Sequence, residues 1–206
     1  MAVTIVNFGL GNIGSIKNIF QKLGAESNEA SDAAGIRGAE MLVLPGVGAF
    51  DHAISRLDEL RMRGALDEAV LQRRVPIVGI CLGMQLMTDG SDEGICRGLG
   101  WVQGRARRFN PPEGETLKVP HMGWCSVSRL KHSRALSYLN SDARFYFVHS
   151  FYVECRNRSD ALLSSRYGPF EFDAAFEKEN ILGFQFHPEK SHKYGVSLLK
   201  GFLERE

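Results

Sequence analysis

Three short apolar runs constrain this chain more than any other feature, because each ends in a glycine turn and is followed by a helical pattern or the start of one. Val3 to Asn7 leads into Phe8-Gly9, after which Ile13, Ile16, Ile19, Phe20 and Leu23 recur at helical spacing before Gly24. Met41 to Leu44 stops at Pro45-Gly46. Phe50, Ile54, Leu57 and Leu60 then share one helical face, and a second helical stretch continues to about Val70. Ile77 to Ile80 breaks at Cys81-Leu82-Gly83. Strands without a polar face need cover on both sides. The pattern therefore predicts an α/β fold with a mostly parallel central sheet and helices on both faces.

The second half changes character. Runs at Phe145 to His149, Ala161 to Tyr167, Phe172 to Phe176 and Ile181 to Phe186 follow one another across short turns such as Lys178-Glu179-Asn180. This predicts antiparallel additions to the sheet, closed by a helix carrying Val196, Leu199, Phe202 and Leu203. No repeat, low-complexity segment or linker divides the chain, so one domain over residues 1–206 is expected.

Composition excludes several classes of function. A formal charge of +1 supplies no long-range field to gather nucleic acid or an anionic membrane. The apolar stretch Val75 to Thr88 is interrupted by Pro76, Gly79, Gly83 and Gln85 and falls short of the ~18 to 20 apolar residues that span a bilayer. Residues 1–12 have no basic leader and no small-residue cleavage site, which predicts a cytoplasmic protein whose mature chain starts near Met1. Cys81, Cys96, Cys125 and Cys155 form no CxxC pair, against both a zinc knuckle and a disulfide framework. No metal is expected.

Gly9-Leu10-Gly11-Asn12-Ile13-Gly14 fits G-x-G-x-x-G between a strand and a helix, the setting of a dinucleotide site. Such a site also needs an acidic residue at the end of a second buried strand. Glu29 and Asp32 stand at the right distance, but Ala25 to Ala30 is polar and makes a poor buried strand. A tight strand-to-helix turn is the preferred reading, with no nucleotide cofactor.

Gly79-Ile80-Cys81-Leu82-Gly83 has the form of a nucleophile elbow with cysteine in the serine position. A residue in so sharp a turn brings its neighbours at plus and minus two together, and glycine fits there. At a helix amino terminus the Cys81 thiolate is favoured. Cys96, Cys125 and Cys155 lack this setting and read as structural. Of six histidines, His187 stands out because Pro188-Glu189 follows it. Proline holds His187 extended, so that Glu189 reaches the imidazole while the other ring nitrogen faces Cys81. In Leu44-Pro45-Gly46-Val47-Gly48-Ala49-Phe50, the glycine loop after a parallel strand predicts an oxyanion hole built from the Leu82 N–H and a donor within Gly46 to Gly48, Val47 and Gly48 included.

GICLGMQ with FQFHPEKS resembles the class I (triad) glutamine amidotransferases, whose core is flavodoxin-like, and the resemblance runs from the first strand to the last helix. GLGNIGS, LPGVGAF, VPHMGW and YFVHSFY in this order are most similar to the glutaminase subunits that serve imidazole glycerol phosphate synthase in histidine biosynthesis. The resemblance implies that Cys81 forms a γ-glutamyl thioester with L-glutamine, that His187 and Glu189 complete the triad, and that no cofactor is used. It also implies that Gln85, Glu93, Ser150 and Phe151 hold the substrate, with the backbone near His149 completing the pocket. Ammonia would pass through a channel to a separate (β/α)₈ barrel synthase (cyclase) subunit, in a heterodimer under allosteric control. That barrel would make imidazole glycerol phosphate and aminoimidazole carboxamide ribonucleotide, with Asn12, Trp124, Tyr146 and Lys190 at the docking face.

Asn7-Phe8 stands where Asp-Tyr is common, Cys125 where Asn is usual, and His192-Lys193-Tyr194 follows the last motif. These departures leave two further readings open. One is a paralogue supplying ammonia to a sugar-amidating synthase of surface polysaccharide biosynthesis. The other is a non-catalytic partner-binding module.

Overall fold

The structure is a computed structural model that describes residues 2–114 and 116–204; residues 1, 115, 205 and 206 of the expected domain, and with them the expected start at Met1, lie outside the described residues. The first half alternates as the apolar runs require. Strand β1 (Ala2–Val6) leads to helix α1 (Ile13–Lys22), strand β2 (Glu26–Ala30) to helix α2 (Ala33–Arg37), and strand β3 (Met41–Gly46) to helices α3 (Phe50–Glu59) and α4 (Met62–Asp67). Wider helical turns at Glu68–Gln72 precede strand β4 (Ile77–Cys81) and the short helix α5 (Leu82–Leu86). The second half contains β5 (Gly104–Arg108), β6 (His121–Ser126), β7 (Ser128–Arg129), β8 (Arg144–His149) and β9 (Phe151–Cys155). It ends with β10 (Ala161–Tyr167), β11 (Phe170–Lys178), β12 (Ile181–Phe184) and helix α6 (His192–Leu203).

The parallel core runs in the order β2-β1-β3-β4-β12, the doubly wound flavodoxin-like arrangement. Strands β11 and β10 continue it antiparallel, as the short turns predict. Two apolar cores flank the sheet. One gathers Ile16, Ile19 and Phe20 of α1 with Leu198, Leu199 and Phe202 of α6. The other gathers Ile36 of α2, Phe50, Ile54 and Leu57 of α3, and Leu66 of α4.

Two expectations are corrected. Ala25 to Ala30 does contain a strand, β2, whose polarity reflects its place at the sheet edge, where only Ala30 is buried. Glu29 on it accepts hydrogen bonds from Asn7 Nδ2 at 2.8 Å and Lys17 Nζ at 3.1 Å, so its carboxylate is engaged locally. Gly9 and Gly11 take φ of 89° and 150°, as a tight strand-to-helix turn demands. The run Phe145 to His149 does not join the central sheet. As β8 it pairs with β6 in a separate antiparallel ribbon, anchored by Phe145 stacked on Phe186 at 3.9 Å. An alternating apolar pattern specifies a strand but not its partner, and β6, with its polar and glycine residues, gives no strand signal of its own.

The parallel register sets Gly46 opposite Cys81 and Phe184 opposite Ile80, so the segments after β3, β4 and β12 emerge side by side at one sheet edge. The approach is close enough that a β-carbon on Gly83 would lie 1.8 Å from the Leu44 carbonyl oxygen. Gly83→Ala is therefore expected to destabilise the fold by ~3 kcal/mol through overpacking. Gly38→Ala, with open space around it, is expected to change stability by no more than ~1 kcal/mol. Urea unfolding midpoints of the two variants compare these outcomes directly.

Candidate active site

Cys81 ends β4 with φ 55° and ψ −111°, a conformation that costs a non-glycine residue about 1–3 kcal/mol. The glycines at plus and minus two make it sterically possible, since a β-carbon on Gly79 would meet the Gly83 carbonyl at 2.8 Å. The turn lifts Cys81 into a pocket of about 340 Å³ lined by Val47, Gly48, Leu82, Gln85, Glu93, Val148, His149, Ser150, Phe151, His187 and Lys190 among others. Every residue expected for the triad, the oxyanion hole and the substrate contacts therefore meets this one cavity, except Glu189, which stands behind His187.

His187 Nδ1 bonds Glu189 Oε1 at 2.7 Å, and both side chains are almost fully buried. The local geometry is not a continuous extended chain. His187 is extended, but Pro188–Lys190 forms a single 3₁₀ turn that folds Glu189 back onto the ring. Two bonds pin the segment to β8, His187 N–H donating to the Tyr146 carbonyl and Tyr146 N–H to Ser191 Oγ, and a third, from Ser191 Oγ–H to the His187 carbonyl, closes the segment on itself. This role of Ser191 was not anticipated; it is the last residue of FQFHPEKS, a buried hydroxyl.

Burial alone would lower the His187 pKa, but interaction with Cys81 and the bond to Glu189 outweigh it and push it up to about 9. His187 Nε2 is buried and completes no hydrogen bond. It is the one ring nitrogen left to exchange a proton with the sulfur, and unliganded sites are often this loose. Cys81 Sγ lies 4.0 Å from the Val148 carbonyl and 3.9 Å from Gln185 Nε2.

The glycine loop behaves asymmetrically. Gly46 is buried in β3, where a β-carbon would lie 3.0 Å from Gly83 N and Leu82, so it serves packing rather than rotation. Gly48, at φ 103° with open space around it, and Val47, 44% exposed, carry what freedom the loop has. The Leu82 N–H opens α5 and has no partner within the helix. Gln85 is buried, and its Nε2 donates to the Phe151 carbonyl at 3.0 Å. Glu93 caps α3 as well as lining the pocket, its Oε2 accepting the Phe50 N–H at 2.8 Å.

The class-I glutamine amidotransferase profile matches residues 4–205 of this chain. The chain belongs to that family. Among its relatives, the imidazole glycerol phosphate synthase subunit HisH of Bdellovibrio bacteriovorus is 48% identical over 203 residues, covering 98% of this chain and 99% of that protein. Subunit HisH 2 of Methanococcus maripaludis is 41% identical over 203 residues, with 98% and 99% covered. A crystal structure described as a glutamine amidotransferase superposes with a TM-score of 0.71 at 17% identity, covering 98% of this chain and 97% of its own.

Of the residues expected at the amidotransferase's docking face, three cluster. The Lys190 ammonium lies 6.0 Å from the Tyr146 ring centre and Trp124 meets the same ring edge-on at 6.3 Å, with Trp124 also stacked on His192 at 5.5 Å. Lys190 additionally reaches the pocket. Asn12 stands apart, its side-chain oxygen capping α1 at Ser15 N. Cys155 is buried, and Cys96 N–H donates to Asp51, in line with structural roles.

A raised His187 pKa also has a stability consequence. The pairing stabilises the fold fully below the ordinary histidine value and is lost as pH rises through about 9. Denaturation of the parent at about pH 6 and about pH 10 is expected to reveal a loss on the order of 2 kcal/mol. Glu189→Gln is expected to lose distinctly less over the same interval, since its His187 has less charge to give up.

Proposed function

We propose that this chain is the glutaminase subunit of an imidazole glycerol phosphate synthase in histidine biosynthesis, acting as one cytoplasmic domain that hydrolyses L-glutamine through Cys81, His187 and Glu189. The observation that carries the reading is the meeting of the strained Cys81, of His187 backed by Glu189, and of the Val47–Gly48 loop in a single pocket. The full-length similarity to HisH subunits supports the pathway. No described helix is long and apolar enough to cross a membrane.

The chemistry follows from the positions. His187 takes the thiol proton, and the Cys81 sulfur attacks the γ-carbonyl carbon of glutamine. The oxyanion is received by the Leu82 N–H and an N–H of the Val47–Gly48 loop. His187 returns the proton to the departing nitrogen, which leaves as ammonia and a γ-glutamyl thioester. A water molecule, deprotonated by the same imidazole, then frees glutamate and restores the thiol. Glu189 holds the imidazolium and fixes its orientation without itself taking the proton. Gln85, Glu93, Ser150 and Phe151 hold the amino-acid end.

Ammonia would enter a (β/α)₈ cyclase subunit docked over Trp124, Tyr146 and Lys190, with Asn12 at the rim. A finished oxyanion hole in the isolated chain would waste glutamine, and losing one donor costs ~10²- to 10³-fold in rate, enough for a switch. Rotation at Gly48 gives the Val47–Gly48 loop that freedom. Glutamate release is therefore expected to rise stepwise from the isolated chain to the cyclase complex and again with the nucleotide substrate bound. Equal rates in all three would refute the conditional site, and failure of the cyclase to associate would point to another synthase.

Cys81→Ala is expected to abolish glutamine-dependent synthesis in the complex while synthesis from added ammonia continues. Glutamate release at the parent rate in this variant would remove Cys81 from the chemistry.

A further inference from the structure

A run of hydrogen bonds in the pocket wall has no part in the chemistry above, and its donors and acceptors can be assigned one by one. The Phe151 carbonyl accepts from His149 Nδ1 at 2.8 Å and from Gln85 Nε2 at 3.0 Å. A carbonyl only accepts, so His149 carries its proton on Nδ1. Burial keeps His149 neutral, its pKa pushed down to about 3, which leaves only a lone pair on Nε2. His121 Nδ1 lies 3.2 Å from that lone pair and must be the donor. His121 is also held neutral by burial, with its pKa pushed down to about 4, so its Nε2 is an acceptor. Cys125 Sγ stands 3.2 Å from it, and the thiol hydrogen completes the sequence.

The same carbonyl fixes the other direction. Gln85 spends one amide hydrogen on Phe151 and the other on Gln185 Oε1 at 3.1 Å. Reversing the Gln85 amide would set its oxygen against the Phe151 carbonyl. Gln185 is fully buried, and with its oxygen held by Gln85, its amide nitrogen must face the other way, where Cys81 Sγ lies 3.9 Å distant.

We propose that Gln185 is a further residue of the reacting centre: its amide N–H, aimed by the Phe151 carbonyl through Gln85, hydrogen-bonds the Cys81 sulfur and favours the thiolate. This rests on Cys81 as the nucleophile. As the thiol proton moves to His187 Nε2, negative charge gathers on sulfur, and the waiting N–H shortens onto it.

Alkylation of the full chain by iodoacetamide, read on the Cys81 peptide by mass spectrometry, tests the donor. Gln185→Met keeps the length but not the N–H. It is expected to slow Cys81 alkylation about tenfold at neutral pH. The other ionisable groups of the pocket, Glu93, His149, His187 and Lys190, are the same in both proteins. Gln185→Leu reads the same effect should the Met variant fail to fold. Unchanged alkylation at neutral pH in either folded variant overturns the proposal. Should the nucleophile assignment itself be wrong, Cys81→Ala would still hydrolyse glutamine, an outcome separate from the alkylation comparison.

Discussion

The backbone at Gly83 packs against the Leu44 carbonyl so tightly that a β-carbon there would lie 1.8 Å from its oxygen, with Gly79 and Gly46 pressed into the same knot. Two parallel strands, β3 and β4, and the first turn of α5 share this space only because three side chains are missing there. The consequence is chemical as well as steric. With its flanking glycines packed flat, Cys81 is driven to positive φ and out of the sheet. The oxyanion loop and the histidine segment then arrive on either side of it, because β3 and β12 are its immediate neighbours in register. The strain at Cys81 is held by the surrounding sheet rather than by contacts of its own.

Around that point, burial acts on three imidazoles with different results. His187 is desolvated but faces Cys81 and Glu189, so the charged form is favoured. His149 and His121 are desolvated with no anionic partner, and the neutral form is favoured in both. A low dielectric makes each unpaired charge costly and each paired one strong, so the residue beside the ring decides its state. The site thus carries one charged ring for proton transfer and two neutral rings whose hydrogens are locked in place.

Much of this was legible from residue order. The glycine-ended strands, the elbow around Cys81 and the His187-Pro188-Glu189 triplet are local patterns, and local sterics carried them into the structure. The Gly9–Gly14 segment forms the tight turn expected of it, and β2 exists where a poor buried strand was expected, because edge strands need not be apolar. The placement of β8 against β6 was not legible, nor was Gln185 as a neighbour of the sulfur. A polar residue between Phe184 and Phe186 marks a buried polar group, but nothing in the order of residues says which group it meets.

The sequence by itself determined the doubly wound core, the glycine-flanked turn at Cys81 and the contact between His187 and Glu189, because periodicity, glycine spacing and proline geometry act over a few residues. Only the tertiary structure decided that Cys125, 44 positions from Cys81 in the chain, shares a run of hydrogen bonds with it through His121, His149, Phe151, Gln85 and Gln185. The physical reason is that donors and acceptors are assigned by what lies opposite each group. Opposition between β6, β8, α5 and the end of β12 is set by packing across the sheet, not by distance along the chain.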